Sequence, residues 1–292
     1  MQEAEALGIE IFSVRGRGYR LPEPITLLDY ESVLAAIGEQ RAWFKFELHD
    51  HLESTNTYLM KQASLGANHA TAVAALLQTK GRGRRGRPWQ AGLGASLTFS
   101  LLWRFQSGAS ALSGLSLAVG VALIRAFHEI GLAEAKLKWP NDVLVKVNNQ
   151  YLKLAGILIE LQGDMEGPSA AVIGIGINLN LPENVRRHID QPATDLKSVL
   201  RQYFTPSDVL GLMLKHLADV LRQFEEQGFE QLRDEWVTYH AYHGQPVRMI
   251  SPDGRETQGV ATGIAADGIL LVETALGQQR FSAGEISLRS GT

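Results

Sequence analysis

The chain has 292 residues, more than a single small binding module needs, and its 45% hydrophobic and 20% charged make-up excludes a disordered or collagen-like protein. It contains no cysteine, which removes disulfides, thiolate zinc sites and cysteine nucleophiles together and suits a reducing cytoplasm. Twenty-eight Lys and Arg against 31 Asp and Glu leave a net charge of −3, which argues against a surface built throughout for nucleic acid.

Glu3, Glu5 and Glu10 precede any apolar run, unlike a signal peptide. Residues 10–21 predict two short strands joined at Arg15-Gly16-Arg17-Gly18, ended by Pro22-Glu23-Pro24. A helix is predicted over 29–37, a strand over 43–48, a helix with polar residues crowded at its start over 54–65, and a buried strand over 71–78. Residues 97–105 read as a strand. Residues 107–124 carry no charge and meet the length of a membrane span, but Leu112, Leu115, Val119 and Leu123 recur at helical spacing among small residues, so a buried helix is predicted instead. Residues 136–147, 152–161 and 170–178 read as three further strands.

Thr205-Pro206-Ser207-Asp208 starts a packing helix whose apolar face runs from Val209 to Phe224, up to Gly228. Beyond Gly244 the texture changes to short strands at 247–250, 259–264, 269–273 and 279–281, the pattern of a small all-β barrel. The predicted fold class is therefore α+β, a mixed sheet with helices followed by a small β-barrel. Residues 1–24 form a small unit with its linker, 25–242 the catalytic-sized domain and 243–292 the barrel.

Five positive charges, Lys80, Arg82, Arg84, Arg85 and Arg87, fall within eight residues, leaving about −8 on the rest of the chain. Gly81-Arg82-Gly83-Arg84-Arg85-Gly86 matches the form of a dinucleotide fingerprint but runs into Arg87-Pro88-Trp89 where that fingerprint needs a helix. On residue chemistry alone the segment is either a solvated basic loop or an anion site, where glycines admit close backbone approach and guanidiniums grip phosphate or carboxylate. Ser54-Thr55-Asn56 alone fits a helix N-cap, and Asn178 a turn.

Taken with Ser54-Thr55-Asn56, Lys138-Trp139-Pro140-Asn141-Asp142 and Lys153-Leu154-Ala155-Gly156-Ile157-Leu158-Ile159-Glu160, the Gly/Arg loop resembles the biotin protein ligases, with four motifs in the family's order and similarity from about Leu27 to the end. The resemblance implies a class II synthetase-like catalytic domain followed by an SH3-like barrel. It implies biotin and ATP as substrates, a biotinyl-5'-AMP intermediate, and transfer to one lysine of the biotin carboxyl carrier domain of acetyl-CoA carboxylase. Bringing a carboxylate against a triphosphate calls for charge neutralisation more than for acid-base groups.

By the same resemblance Ser54, Thr55, Asn56 and Gln78 hold the biotin ureido ring, with Gly83 and Gly156 alongside. Arg82 and Arg84 close over biotin and its adenylate, and Lys153 sits on the biotin carboxylate and the attacked phosphate. Arg85, Arg87, Trp89, Lys138, Asn141, Asp142 and Asn178 serve the nucleotide side, with Asn141 or Asp142 able to position Mg2+ and Asn178 reading the adenine. Residues 181–192 correspond to a nucleotide-covering loop, here without a Trp cover.

A homodimer is implied, and no membrane partner. In family members that also repress transcription a winged helix-turn-helix comes first. Residues 9–24 look like its wing and exit alone, so operator recognition is not expected. The enzyme alternative is a lipoate or other acyl-adenylate ligase, and the non-enzyme alternative a nucleic-acid-binding regulator.

Overall fold

The N-terminal hairpin is present as β1 (Phe12–Val14) and β2 (Gly18–Arg20), paired antiparallel across a turn in which Gly16 and Gly18 take positive φ. The computed structural model describes residues 9, 11–16, 18–21, 23–90, 92–163, 166–189, 191–251, 253–283 and 287–291. Arg17 of the expected wing tip lies outside them, as do Glu10 and Pro22.

The catalytic-sized part is built on β3 (Lys45–Leu52), β4 (Thr71–Gln78), β5 (Ser96–Phe105), β6 (Ala135–Lys138), β7 (Asp142–Val147), β8 (Gln150–Gly163) and β9 (Ser169–Asn178). They form one mixed sheet in the order β3-β4-β5-β9-β8-β7-β6, in which only β3 and β4 run parallel. A parallel pair needs a crossover, supplied here by helix α2 (Thr55–Ser64), which follows α1 (Tyr30–Ile37) in the chain. All ten positions of β9 are buried, because α2 covers one face of the sheet and the large helical core the other. That two-sided burial is why β9 reads as an unbroken apolar run.

The uncharged stretch folds as a 3-10 turn, Ala109–Leu112, and then α3 (Leu115–Glu129), so the predicted helix starts eight residues late. Gly114 causes the break: its φ is +83°, and a Cβ there would meet Phe229 Cβ at 2.7 Å. No helix among the described residues is long and apolar enough to cross a membrane. Helix α4 (Pro206–Gln227) begins with the capping box Thr205/Asp208 and packs against α3 and α1. Helix α5 (Glu230–Tyr239), not predicted, buries only Leu232 and Trp236, too thin a stripe to register as periodic.

The single strand expected over 136–147 is two. β6 and β7 form a hairpin whose turn contains the cis Trp139–Pro140 peptide and a hydrogen bond from Asn141 N–H to Lys138 O at 3.1 Å.

The C-terminal unit is the antiparallel sheet of β10 (Pro246–Ile250), β11 (Glu256–Ile264), β12 (Leu270–Thr274), β13 (Gly277–Phe281) and β14 (Ser287–Ser290), ordered β13-β12-β11-β10-β14. Four of these strands match the sequence reading and β14 does not appear in it. The unit docks by its 265–269 turn, where Gly268 O accepts from Trp139 Nε1 at 3.1 Å and Asp267 O from Ser113 Oγ at 2.5 Å. A mixed sheet flanked by helices, followed by a small antiparallel β unit, is the fold class the sequence predicts.

Candidate active site

The period of two in β9 sends Gly174, Gly176 and Asn178 to the α2 side of the sheet, flanked by Ser100 and Thr98 on β5 and by Leu158 and Gly156 on β8. All of these except the fully buried Ser100 line a cavity of about 340 Å³. The space over the glycines is taken by protein side chains. A Cβ on Gly174 would lie 2.1 Å from Asn56 Oδ1, and one on Gly176 would lie 2.5 Å from Trp89 Cε2.

One wall is the start of α2. Ser54 caps it, its Oγ accepting from Thr57 N–H at 3.3 Å, so the capping expectation holds alongside its place in the cavity lining. Thr55 donates its N–H and hydroxyl to Gln78 Oε1 at 2.7 and 2.9 Å. Ser100 Oγ lies 2.7 Å from Thr55 Oγ1 and 2.6 Å from Asn56 Oδ1, and Asn56 Nδ2 donates to Glu160 Oε2 at 2.8 Å and Leu158 O at 3.2 Å. The amide orientations are thereby fixed: Gln78 presents its NH₂ and Thr55 its remaining lone pairs toward the cavity. The orienting partners are Ser100, which no motif marks, and Glu160, the last residue of the Lys153–Glu160 motif.

Lys153 reaches the cavity because of a β-bulge. β8 pairs Ala155 with Val143 and then Lys153 with Leu144, leaving Leu154 as an extra residue. In a regular strand, positions 153 and 156 face opposite ways. The bulge turns both Lys153 and Gly156 into the cavity while Leu154 and Ala155 go to the core. Lys153 Nζ forms an ion pair with Asp142 Oδ1 at 2.7 Å and lies 5.6 Å from the centre of the Trp89 ring.

Where β9 ends, residues 192–194 replace it beside Lys153. Lys153 N–H donates to Pro192 O and Thr194 N–H to Lys153 O, both at 2.9 Å. Asn178 directs its amide nitrogen to Thr194 O at 3.0 Å and Lys153 O at 3.3 Å.

The Gly/Arg loop arches over the opening, with Gly83 N–H donating to Arg87 O at 2.7 Å and Arg85 in the left-handed region. Gly83, Arg85 and Arg87 line the cavity with Arg82 and Arg84. Arg82 is directed sideways, to Thr57 Oγ1 at 2.7 Å and Glu160 Oε1 at 2.8 Å, so it orients the carboxylate that orients Asn56. Arg84 donates to Asn141 Oδ1 at 3.2 Å and to Ala283 O of the C-terminal unit. Burial, with Arg85 beside it, draws Arg84 below the ordinary guanidinium value.

Burial likewise lowers Lys138 to about 8, against the opposing pull of Asp142. Arg289 and Leu288, from the strand missing in the sequence reading, complete this wall. Cations thus come from four segments, the concentration of positive charge that a polyphosphate needs.

The residues do not build a metal cage. Among the described residues no three His, Cys, Asp or Glu side chains converge. Asp142 is engaged by Lys153, and Asn141 spans Arg84 and Ile157 O. Such a donor set fits an ion carried by phosphates and touched by one protein carboxylate.

The fold and site agree with known proteins. The Biotin/lipoate A/B protein ligase family matches residues 48–178, and the Biotin protein ligase C terminal domain matches residues 242–289. The chain is similar to the bifunctional ligase/repressor BirA of Escherichia coli (strain K12), at 33% identity over 97% of this chain and 85% of that protein. It is similar to the biotin-[acetyl-CoA-carboxylase] ligase of Paracoccus denitrificans, at 33% identity over 80% of this chain and 96% of that protein. Among solved structures, biotin protein ligase from Aquifex aeolicus in complex with biotin and ATP superposes with a TM-score of 0.70 and 29% identity, covering 84% of this chain and 99% of that one. With this degree of similarity along nearly its whole length, the chain belongs to the biotin protein ligase family.

Proposed function

We propose that this cavity joins biotin to ATP and passes the biotinyl group to a lysine of a biotin carboxyl carrier domain, that of acetyl-CoA carboxylase. The observation that carries the reading is the meeting of a neutral polar row, Thr55-Gln78-Asn56, with Lys138, Lys153 and Arg84 in one cavity. The row offers donors and acceptors to a ureido ring; the cations take a carboxylate and phosphates.

In the first step a biotin carboxylate oxygen attacks the α-phosphorus of ATP, an acyl-phosphate bond forms and pyrophosphate leaves. Lys153 is placed to hold the carboxylate and the attacked phosphate, with Lys138 and Arg289 beside it for the remaining charge. Ser54, Gly83 and Gly156 border the biotin end, while Arg85, Arg87, Trp89, Asn141, Asp142 and Asn178 border the nucleotide end. In the second step the carrier amine, having lost its proton, attacks the acyl carbon and AMP leaves. Arg82 acts through Glu160 as an orienting group and Arg84 as the part-buried cation of the loop. Asp142 would be the carboxylate to touch a Mg2+ carried by the nucleotide, which would supply positive charge to the phosphates.

Pyrophosphate exchange into ATP tests the reading: biotin supports it, and lipoate, whose dithiolane leaves the polar row unpaired, does not. Equal exchange with both acids overturns it.

The domain division at 25–242 and 243–292 and a homodimer belong to the same proposal. A dimer is supported by β8, which beyond its last pairing with β7 at Gly156 has a strand neighbour on the β9 side alone among the described residues, with Leu161 exposed. Sedimentation that stays monomeric at every concentration, with biotin and ATP present, removes the dimer from it.

A further inference from the structure

The excursion from β9 to α4 is closed by one ion pair that no motif marks. Asp195 is only 2% exposed as a side chain, and its carboxylate is fully engaged. Oδ2 accepts from Arg186 Nη2 at 2.8 Å and from Leu181 N–H at 3.2 Å, and Oδ1 accepts from Ser198 N–H at 2.8 Å. Arg186 sends its other arm, Nη1, to Ala193 O at 2.7 Å. A single planar guanidinium therefore ties the helical turn Glu183–Arg186 to both ends of 193–195.

Two consequences meet at the cavity. His188, Ile189 and Gln191, between the tied points, form its nucleotide-side wall. Ala193 sits between Pro192 and Thr194, the two residues whose backbone groups pair with Lys153. The tie that shapes the wall also sets the backbone from which the Lys153 side chain projects.

The geometry points to Arg186 and Asp195 as a latch: they position the nucleotide wall and the Lys153 backbone for adenylate formation and hold the wall shut over the adenylate. The pair touches no substrate and both are positioning residues. This rests on the reading of the cavity as a biotin-adenylating site. It also accounts for a covering loop without a Trp, since an ion pair to a buried carboxylate does the closing.

Arg186→Gln in the full chain tests it, with Arg186→Lys as the conservative partner. Asp195→Ala is avoided because it also strips the acceptors of Leu181 and Ser198 N–H. Arg186→Gln is expected to raise KM for ATP and the release rate of biotinyl-AMP by about tenfold, the order of one lost charge-assisted contact. Biotin binding without ATP is expected to fall by less than ATP binding, since Lys153 reaches biotin only at its carboxylate and Thr55, Asn56 and Gln78 are held by bonds that Arg186 does not touch. Arg186→Lys regains part of the loss, keeping the charge on Asp195 without the arm to Ala193.

Wild-type KM for ATP and wild-type adenylate release in Arg186→Gln overturn the latch. Equal loss of biotin and ATP binding together with a lowered melting temperature also overturns it, because that marks a merely structural role. A wild-type protein without biotin-dependent exchange removes the functional reading itself, a separate result.

Discussion

Lys153 Nζ and Asp142 Oδ1 stand 2.7 Å apart with side chains 16% and 14% exposed, so the cation most central to the cavity is already neutralised by a carboxylate on the neighbouring strand. In the proposed function, an incoming biotin carboxylate and triphosphate would compete with Asp142 for that ammonium. The ion pair therefore keeps Lys153 extended toward the site before substrate arrives, at the cost of part of its attraction for the substrate.

Lys153→Ala is expected to cut biotin-dependent pyrophosphate exchange by about ten- to a hundredfold, the equivalent of one charged hydrogen bond. Circular dichroism should show the fold retained, because the Lys153 backbone bonds to Pro192 and Thr194 survive the change. An unchanged exchange rate would return Lys153 to an ordinary strand lysine.

Arg84→Gly should loosen the adenylate more than it slows its formation. The side chain removed is the part-buried loop cation that spans Asn141 and Ala283. Faster dissociation of biotinyl-AMP, by about tenfold, is the expected outcome in a filter-binding or stopped-flow chase. Retention at the wild-type rate contradicts it.

Lys138 gives the site an alkaline limb. Its ammonium, lowered to about 8 by burial, carries charge below that pH and loses it above, so attraction for phosphate is present at neutral pH and fades as pH rises through about 8. The pH profile of kcat/KM for ATP should fall there, and Lys138→Arg should move the fall upward. A limb unmoved by that change assigns it to another group.

His240 gives the fold an acid weakness. Neither ring nitrogen has a hydrogen-bond partner among the described residues, the ring centre lies 4.8 Å from that of Trp236, and burial lowers its value from 6.5 to about 3, with His243 adding to the effect. The unfolded chain takes up a proton between those values while the folded chain does not, so stability declines as pH falls from about 6.5 toward about 3. His240→Leu should lessen that decline in melting temperature between pH 7 and pH 5, whereas parallel curves would locate the acid sensitivity elsewhere.

The elements legible in the sequence are those with a strong period or two buried faces, such as β5, β9 and α4. α5 and β14 were not, since the first buries two residues and the second is four residues long beside a Gly-Glu-Ile run. Of the site, motifs supplied the groups that point into the cavity. Its supports carried no such mark: Ser100 acts through Asn56, Asp195 acts through a loop, and Arg289 arrives from the C-terminal unit. Spacing along the chain reveals residues that share an element, and these share only a place in space.

The bulge at Leu154 makes the site depend on counting as well as on chemistry. Inserting one residue after Leu154 would leave every motif letter that lines the cavity in the chain, yet shift the alternation by one and turn Lys153 or Gly156 to the far side of the sheet. For the same reason Leu154→Ala, which keeps the residue count, should be far gentler on catalysis than the insertion, although it removes side-chain volume from the core. Strand phase, set by one residue with no polar atom in its side chain, decides whether the lysine meets its substrate.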